Sequence, residues 1–175
     1  MLGFGAYGAI LRGINHTLTT EVLVGHINMT RVVLGGLLAG LVINISEFVL
    51  NAIVLEADLN AALARMNVPP VSTNAIAVFL LMGFVLGIAC VWIYAAIRPR
   101  FEPGASTAAV AGVLVWFLAY FYASIGFAVM GLFPWRMVTI AVIWGLFELV
   151  IATVAGAWVY QEAPEIRRTT PPMPV

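Results

Sequence analysis

Four stretches of this chain are apolar for long enough to cross a lipid bilayer, and the polar positions inside them are few and patterned. The runs cover about 32–55, 74–97, 107–132 and 137–160. The 24 residues of the first reach roughly 36 Å as a helix, enough to cross with some tilt. The pattern predicts an all-α integral membrane bundle of four transmembrane helices occupying 32–160.

The first run carries the most informative pattern. At 100° per residue Gly36, Gly40, Asn44, Glu47 and Asn51 fall on one face, and Asp58 continues the stripe. Gly36 and Gly40 form a GxxxG pattern, which lets another backbone approach closely. A face that is small at its start and polar at its middle must point into protein. The second run repeats the small-residue spacing at Gly83 and Gly87, follows candidate N-caps at Ser72-Thr73-Asn74, and ends Trp92-Ile-Tyr94 before Arg98-Pro-Arg100.

The third run is aromatic. Trp116 with Tyr120 and Phe117 with Phe121 are spaced to stack as i,i+4 pairs, giving a surface on which a lipid, quinone or pigment can lie. The fourth run places Glu148 on a face shared with Ala141, Trp144, Gly145, Ala152 and Ala155.

Between the runs, Leu55, Leu59, Leu63 and Met66 extend the first helical stripe for about three turns, until Pro69-Pro70 stops it. Pro99, Pro103 and Gly104 predict a tight turn over 98–107, and Phe133-Pro134-Trp135-Arg136 a hairpin between runs three and four. Residues 1–31 read as an interfacial helix or a partner-binding arm, without the basic start and cleavage site of a signal peptide. The Pro-rich tail 161–175 reads as extended.

Composition agrees with the pattern and narrows the function. The 175 residues are 63% hydrophobic and 9% charged, with mean hydropathy +1.05. No room is left within 32–160 for a separate soluble domain. Eight arginines balance eight acids and lysine is absent, which argues against nucleic acid as a partner and excludes Schiff-base chemistry. With the N-terminus inside, Arg12, Arg31, Arg98, Arg100, Arg167 and Arg168 are cytoplasmic, leaving only Arg65 and Arg136 outside. That distribution predicts both termini cytoplasmic in a bacterial inner membrane.

The chemistry inside the membrane rests on two acids. Glu47 lies roughly 22 Å from the inner end of its helix and Glu148 roughly 15–18 Å from the same side, so their depths are similar. If the helices touch, the pair can share a proton, since like charges in close contact cannot both ionise. No lysine or arginine in the runs' interiors neutralises them, so at least one is expected to be protonated, with Asn44 and Asn51 as hydrogen-bond partners. Such a network either handles protons or latches helix register. His16 and His26, the only histidines, precede the first run, so no span offers an imidazole to haem, chlorophyll or a metal. The single Cys90 allows no internal disulfide, and no nucleophile set or phosphate loop is present. No catalytic, cofactor-binding or metal-binding residue is expected. Peripheral contact with a lipid, quinone or pigment at Trp116, Phe117, Tyr120 and Phe121 stays open.

Leu34-Gly-Gly-Leu-Leu-Ala-Gly-Leu-Val-Ile-Asn44 and Ile97-Arg-Pro-Arg-Phe101 resemble the small polytopic four-span membrane proteins of bacteria to which no activity is attached. The resemblance covers about residues 29–160 and carries over no functional residue. The leading expectation is a non-catalytic accessory or scaffolding subunit of a larger membrane complex, energy-converting in character, contacting other membrane subunits and lipids. The alternative is a small homo-oligomeric proton-coupled transporter or channel using Glu47 and Glu148. A lipid- or pigment-binding protein is the third reading.

Overall fold

In the computed structural model residues 27–160 are described. The expected arm up to residue 26, with Arg12, His16 and His26, and the tail 161–175, with Arg167 and Arg168, lie outside the described residues. All regular structure among the described residues is helical, and four helical spans are long and apolar enough to cross a membrane: Met29–Val54, Thr73–Phe101, Ala105–Val129 and Trp135–Val159. We call these spans one to four.

Span one starts as helix α1 (Met29–Val49), whose N-cap Asn28 accepts the Arg31 backbone N–H on its side chain at 3.1 Å. It finishes in a π-turn over Leu50–Val54. Helix α2 (Glu56–Arg65) follows. The prolines at 69 and 70 were expected to stop it, but it ends sooner, at Arg65, and is closed by Asn67. That residue takes φ +54°, while Val68 N–H bonds Leu63 O and Asn67 N–H bonds Ala64 O. This is a left-handed C-terminal cap, a position asparagine tolerates.

Span two is helix α3 (Thr73–Phe101), with Ser72 as its N-cap. The turn expected over 98–107 is shorter than the prolines suggested, because the helix runs through Pro99 to Phe101. Only Glu102–Gly104 connects it to span three. Thr107 tightens this turn, its Oγ1 lying 2.9 Å from Phe101 O and 2.7 Å from Glu102 O, carbonyls that the end of α3 leaves over. Span three consists of α4 (Ala105–Trp116), a second π-turn (Phe117–Phe121) and α5 (Tyr122–Val129). Gly131, at φ +72°, then reverses the chain, and α6 (Trp135–Val159) forms span four.

Span one packs chiefly against span two and also against span four, and span three packs chiefly against span four. Spans one and three therefore sit on a diagonal. Glycine sets the closest approach: a Cβ added to Gly87 would lie 2.5 Å from Gly36 O, and one added to Gly40 would lie 2.7 Å from the Phe84 Cα. Gly83 leaves room for the Asn44 side chain. The core between the spans is built from Val32, Ala39, Ile43, Val91, Ala111 and Leu149, all nearly or wholly enclosed. Without a hydrophobic drive between lipid-bathed helices, such close backbone packing is the main source of association.

Candidate functional site

A polar side chain at mid-membrane depth is costly to leave without a partner, so the hydrogen bonds define the site. Glu47, on span one, is half-buried, and its Oε2 accepts from Asn51 Nδ2 at 2.5 Å. Its other oxygen, Oε1, accepts from the Tyr120 hydroxyl at 2.5 Å. The same hydroxyl lies 3.0 Å from Glu148 Oε1 on span four. Glu148 is only 4% exposed. One phenol thus stands between the two acids that sequence placed at similar depth. Three oxygens meet around a single phenolic proton, so both contacts become hydrogen bonds only when one carboxyl contributes a second proton.

Both π-turns lie at this cluster. Asn51 is in the π-turn of span one and Tyr120 in that of span three. A π-turn inserts one residue into a helix, rotates the side chains that follow, and occurs often at functional sites. Here it overturns one of the two aromatic pairings read from the sequence. Trp116 meets Phe121 (centroids 5.5 Å apart) in place of Tyr120, although Phe117 and Phe121 do stack at 5.5 Å. Tyr120 is left to turn inward, its ring resting on Gly145, where an added Cβ would come 2.5 Å from Cδ1.

The other expected residues divide plainly. Asn44 makes no hydrogen bond to either acid; its Nδ2 donates to Gly40 O at 2.8 Å, one turn back in its own helix. Of the four aromatic residues assigned to lipid or pigment contact, two are engaged within the protein, Tyr120 as described and Trp116 through Nε1–H to Val142 O at 2.8 Å. Phe117 and Phe121 retain exposed faces. Asp58, at the far end of the stripe, forms an ion pair with Arg136 at the start of span four.

Two features of the site were not anticipated. Trp144 Nε1–H donates to Ser46 Oγ at 2.8 Å, pinning span four to span one beside the acids. A groove of about 490 Å³ runs between the same two spans, lined by Val42, Ile45, Ser46, Trp144, Phe147, Glu148 and Ile151. Ile45, Phe147 and Ile151 are well exposed, so the groove opens on the outer surface of the bundle. Ser46 is a polar neighbour of Glu148 on this side, yet Glu148 Oε2 is buried and meets no donor at hydrogen-bond geometry. A sequence signal for Tyr120 did exist: a phenol at mid-span is costly to leave with its O–H unpaired in hydrocarbon.

No family model, curated protein or solved structure matches this chain. Function has to be argued from the site alone.

Proposed function

We propose that this protein handles protons within the membrane, as a small homo-oligomeric proton-coupled transporter or channel working through Glu47, Tyr120 and Glu148. The observation that carries this reading is the Tyr120 hydroxyl held between two carboxyls, with one oxygen of the buried Glu148 left without a donor. A latch that only fixed helix register would satisfy its own atoms, because each unpaired polar group costs about 1–3 kcal/mol. A relay needs a vacant acceptor and a proton that can shift among closely spaced oxygens. Tyr120 supplies the bridge, Asn51 holds Glu47 in place, and Glu148 faces the groove. The reading assigns no catalytic residue. It sets the protein in a bacterial inner membrane with both termini cytoplasmic, on the strength of the arginine distribution.

Proteoliposomes test it. Proton flux that depends on pH and disappears in Glu47→Gln supports the reading; flux equal to that of empty vesicles, or unchanged in the variant, contradicts it.

A second reading, an accessory subunit of a larger membrane complex, is favoured by Tyr122. This residue is 75% exposed within span three and carries its hydroxyl on the outer face of the bundle. A neighbouring subunit would give that hydroxyl a partner. Crosslinking in native membranes separates the two readings by identifying what lies against span three.

A further inference from the structure

We propose that the groove between spans one and four binds a lipophilic organic cation, its charge at the Glu148 carboxyl and its apolar groups between Trp144 and Phe147, in exchange for a proton. The inference deepens the proton-handling reading by naming the ligand class, and it rests on that reading.

Three observations point to this ligand. The groove has the volume of a small-molecule site, about 490 Å³, and apart from Ser46 and Glu148 its walls are Val42, Ile45, Trp144, Phe147 and Ile151. Its single acid is 4% exposed and has one oxygen without a hydrogen-bond donor. Two aromatic side chains, Trp144 and Phe147, share the groove's lining with that acid, and ring faces attract cations most strongly where water is excluded. An inorganic cation does not fit, because it needs several oxygens to replace its hydration shell and the groove offers two oxygen-bearing side chains. A lipid tail would fill the apolar walls and leave the carboxyl unmet. Entry is lateral, past Ile45, Phe147 and Ile151, which suits a ligand that partitions into the bilayer first.

The titratable groups around Glu148 are Glu47 on span one, Tyr120 on span three and Cys90 on span two. None of them brings a positive charge. The nearest arginine along span four is Arg136, twelve residues or roughly 18 Å away, and it is paired with Asp58. The exchange is balanced: the carboxyl O–H breaks, its proton leaves to water, and the cation takes the charge position that the proton held. The site's net charge does not change, so either occupant can be buried without an unpaired carboxylate.

The test is equilibrium binding of tetraphenylphosphonium to the full-length protein in detergent micelles. We expect saturable binding that tightens about tenfold or more from about pH 6 to about pH 8.5 and releases about one proton per cation. Glu148→Gln should weaken it at least about tenfold. Ile45→Trp, which fills the groove from the lipid side and leaves both acids in place, should do the same with an unchanged melting temperature. Absence of saturable binding overturns the proposal, as does equal affinity in Ile45→Trp or equal competition by an uncharged hydroxylated analogue. If binding fails while proteoliposomes still show Glu47-dependent proton flux, the ligand class falls and the proton-handling reading stands.

Discussion

Tyr120 Oη stands 2.5 Å from Glu47 Oε1, a contact that joins residues 73 positions apart across the diagonal of the bundle. Spans one and three have little other contact, so this hydroxyl is their main link at that depth. The link also passes to span four, because the same oxygen lies 3.0 Å from Glu148. Three of the four spans are therefore coupled through one side chain. A change at any of the three residues should be felt at the other two.

Tyr120→Phe keeps the ring on Gly145 and removes only the hydroxyl. We expect it to lower stability in detergent by about 1–2 kcal/mol, since the two carboxyls lose the hydroxyl that bridges them. Combined with Glu47→Gln, the loss should fall short of the sum by about 0.6 kcal/mol and by no more than about 1.7 kcal/mol, the average and the maximum for interhelical hydrogen bonds in membranes. A double-mutant cycle under reversible denaturation measures this; strict additivity would mean that the hydroxyl and the carboxyl do not interact.

Gly145→Ala acts on the same hydroxyl through packing. The new methyl would sit 2.5 Å from Tyr120 Cδ1 and push the ring away from both carboxyls. Overpacking of this kind costs about 1–3 kcal/mol. Gly126→Ala is the control: nothing lies within 4 Å of its added Cβ, so it should stay within about 0.5 kcal/mol of the parent. Thermal melts of the two variants compare them directly.

Gly87→Ala tests the seam between spans one and two. Its Cβ would meet the backbone at Gly40 and Gly36, and backbone cannot rotate out of the way as a side chain can. We expect a loss of about 2–3 kcal/mol, larger than for Gly145→Ala, where a tyrosine ring can give. Equal losses in the two variants would mean that span two separates from span one at low cost.

The four spans were legible because an apolar run of bilayer length has few other uses. Their ends were less so. Pro99 suggested a turn, but its ring removes only the one bond that an N–H there would have made to Ala95 O, and α3 continued past it to Phe101. The shared depth of Glu47 and Glu148 followed from counting helical rise, which tolerates an error of a residue or two. The role of Tyr120 did not follow, because facing depends on angle, and a π-turn at Phe117–Phe121 rotates what comes after it. No residue type in Phe-Leu-Ala-Tyr-Phe announces such a turn. Asn44 was misassigned for a related reason: an asparagine in hydrocarbon can satisfy itself on its own helix, and here it does. The groove depends on side chains of two helices 98 positions apart, Ser46 and Trp144, and no local pattern reports it.

The central claim is that Glu47, Tyr120 and Glu148 exchange protons with the outside while the bundle stays folded. Infrared difference spectroscopy of the folded protein, titrated from about pH 5 to about pH 9, reads the protonated-carboxyl stretch directly. The account predicts a band that fades reversibly as pH rises, shifts in Tyr120→Phe when its hydrogen bond is lost, and is absent in the Glu47→Gln, Glu148→Gln double variant. A carboxyl band that stays constant across that range, or one that survives in the double variant, would contradict it.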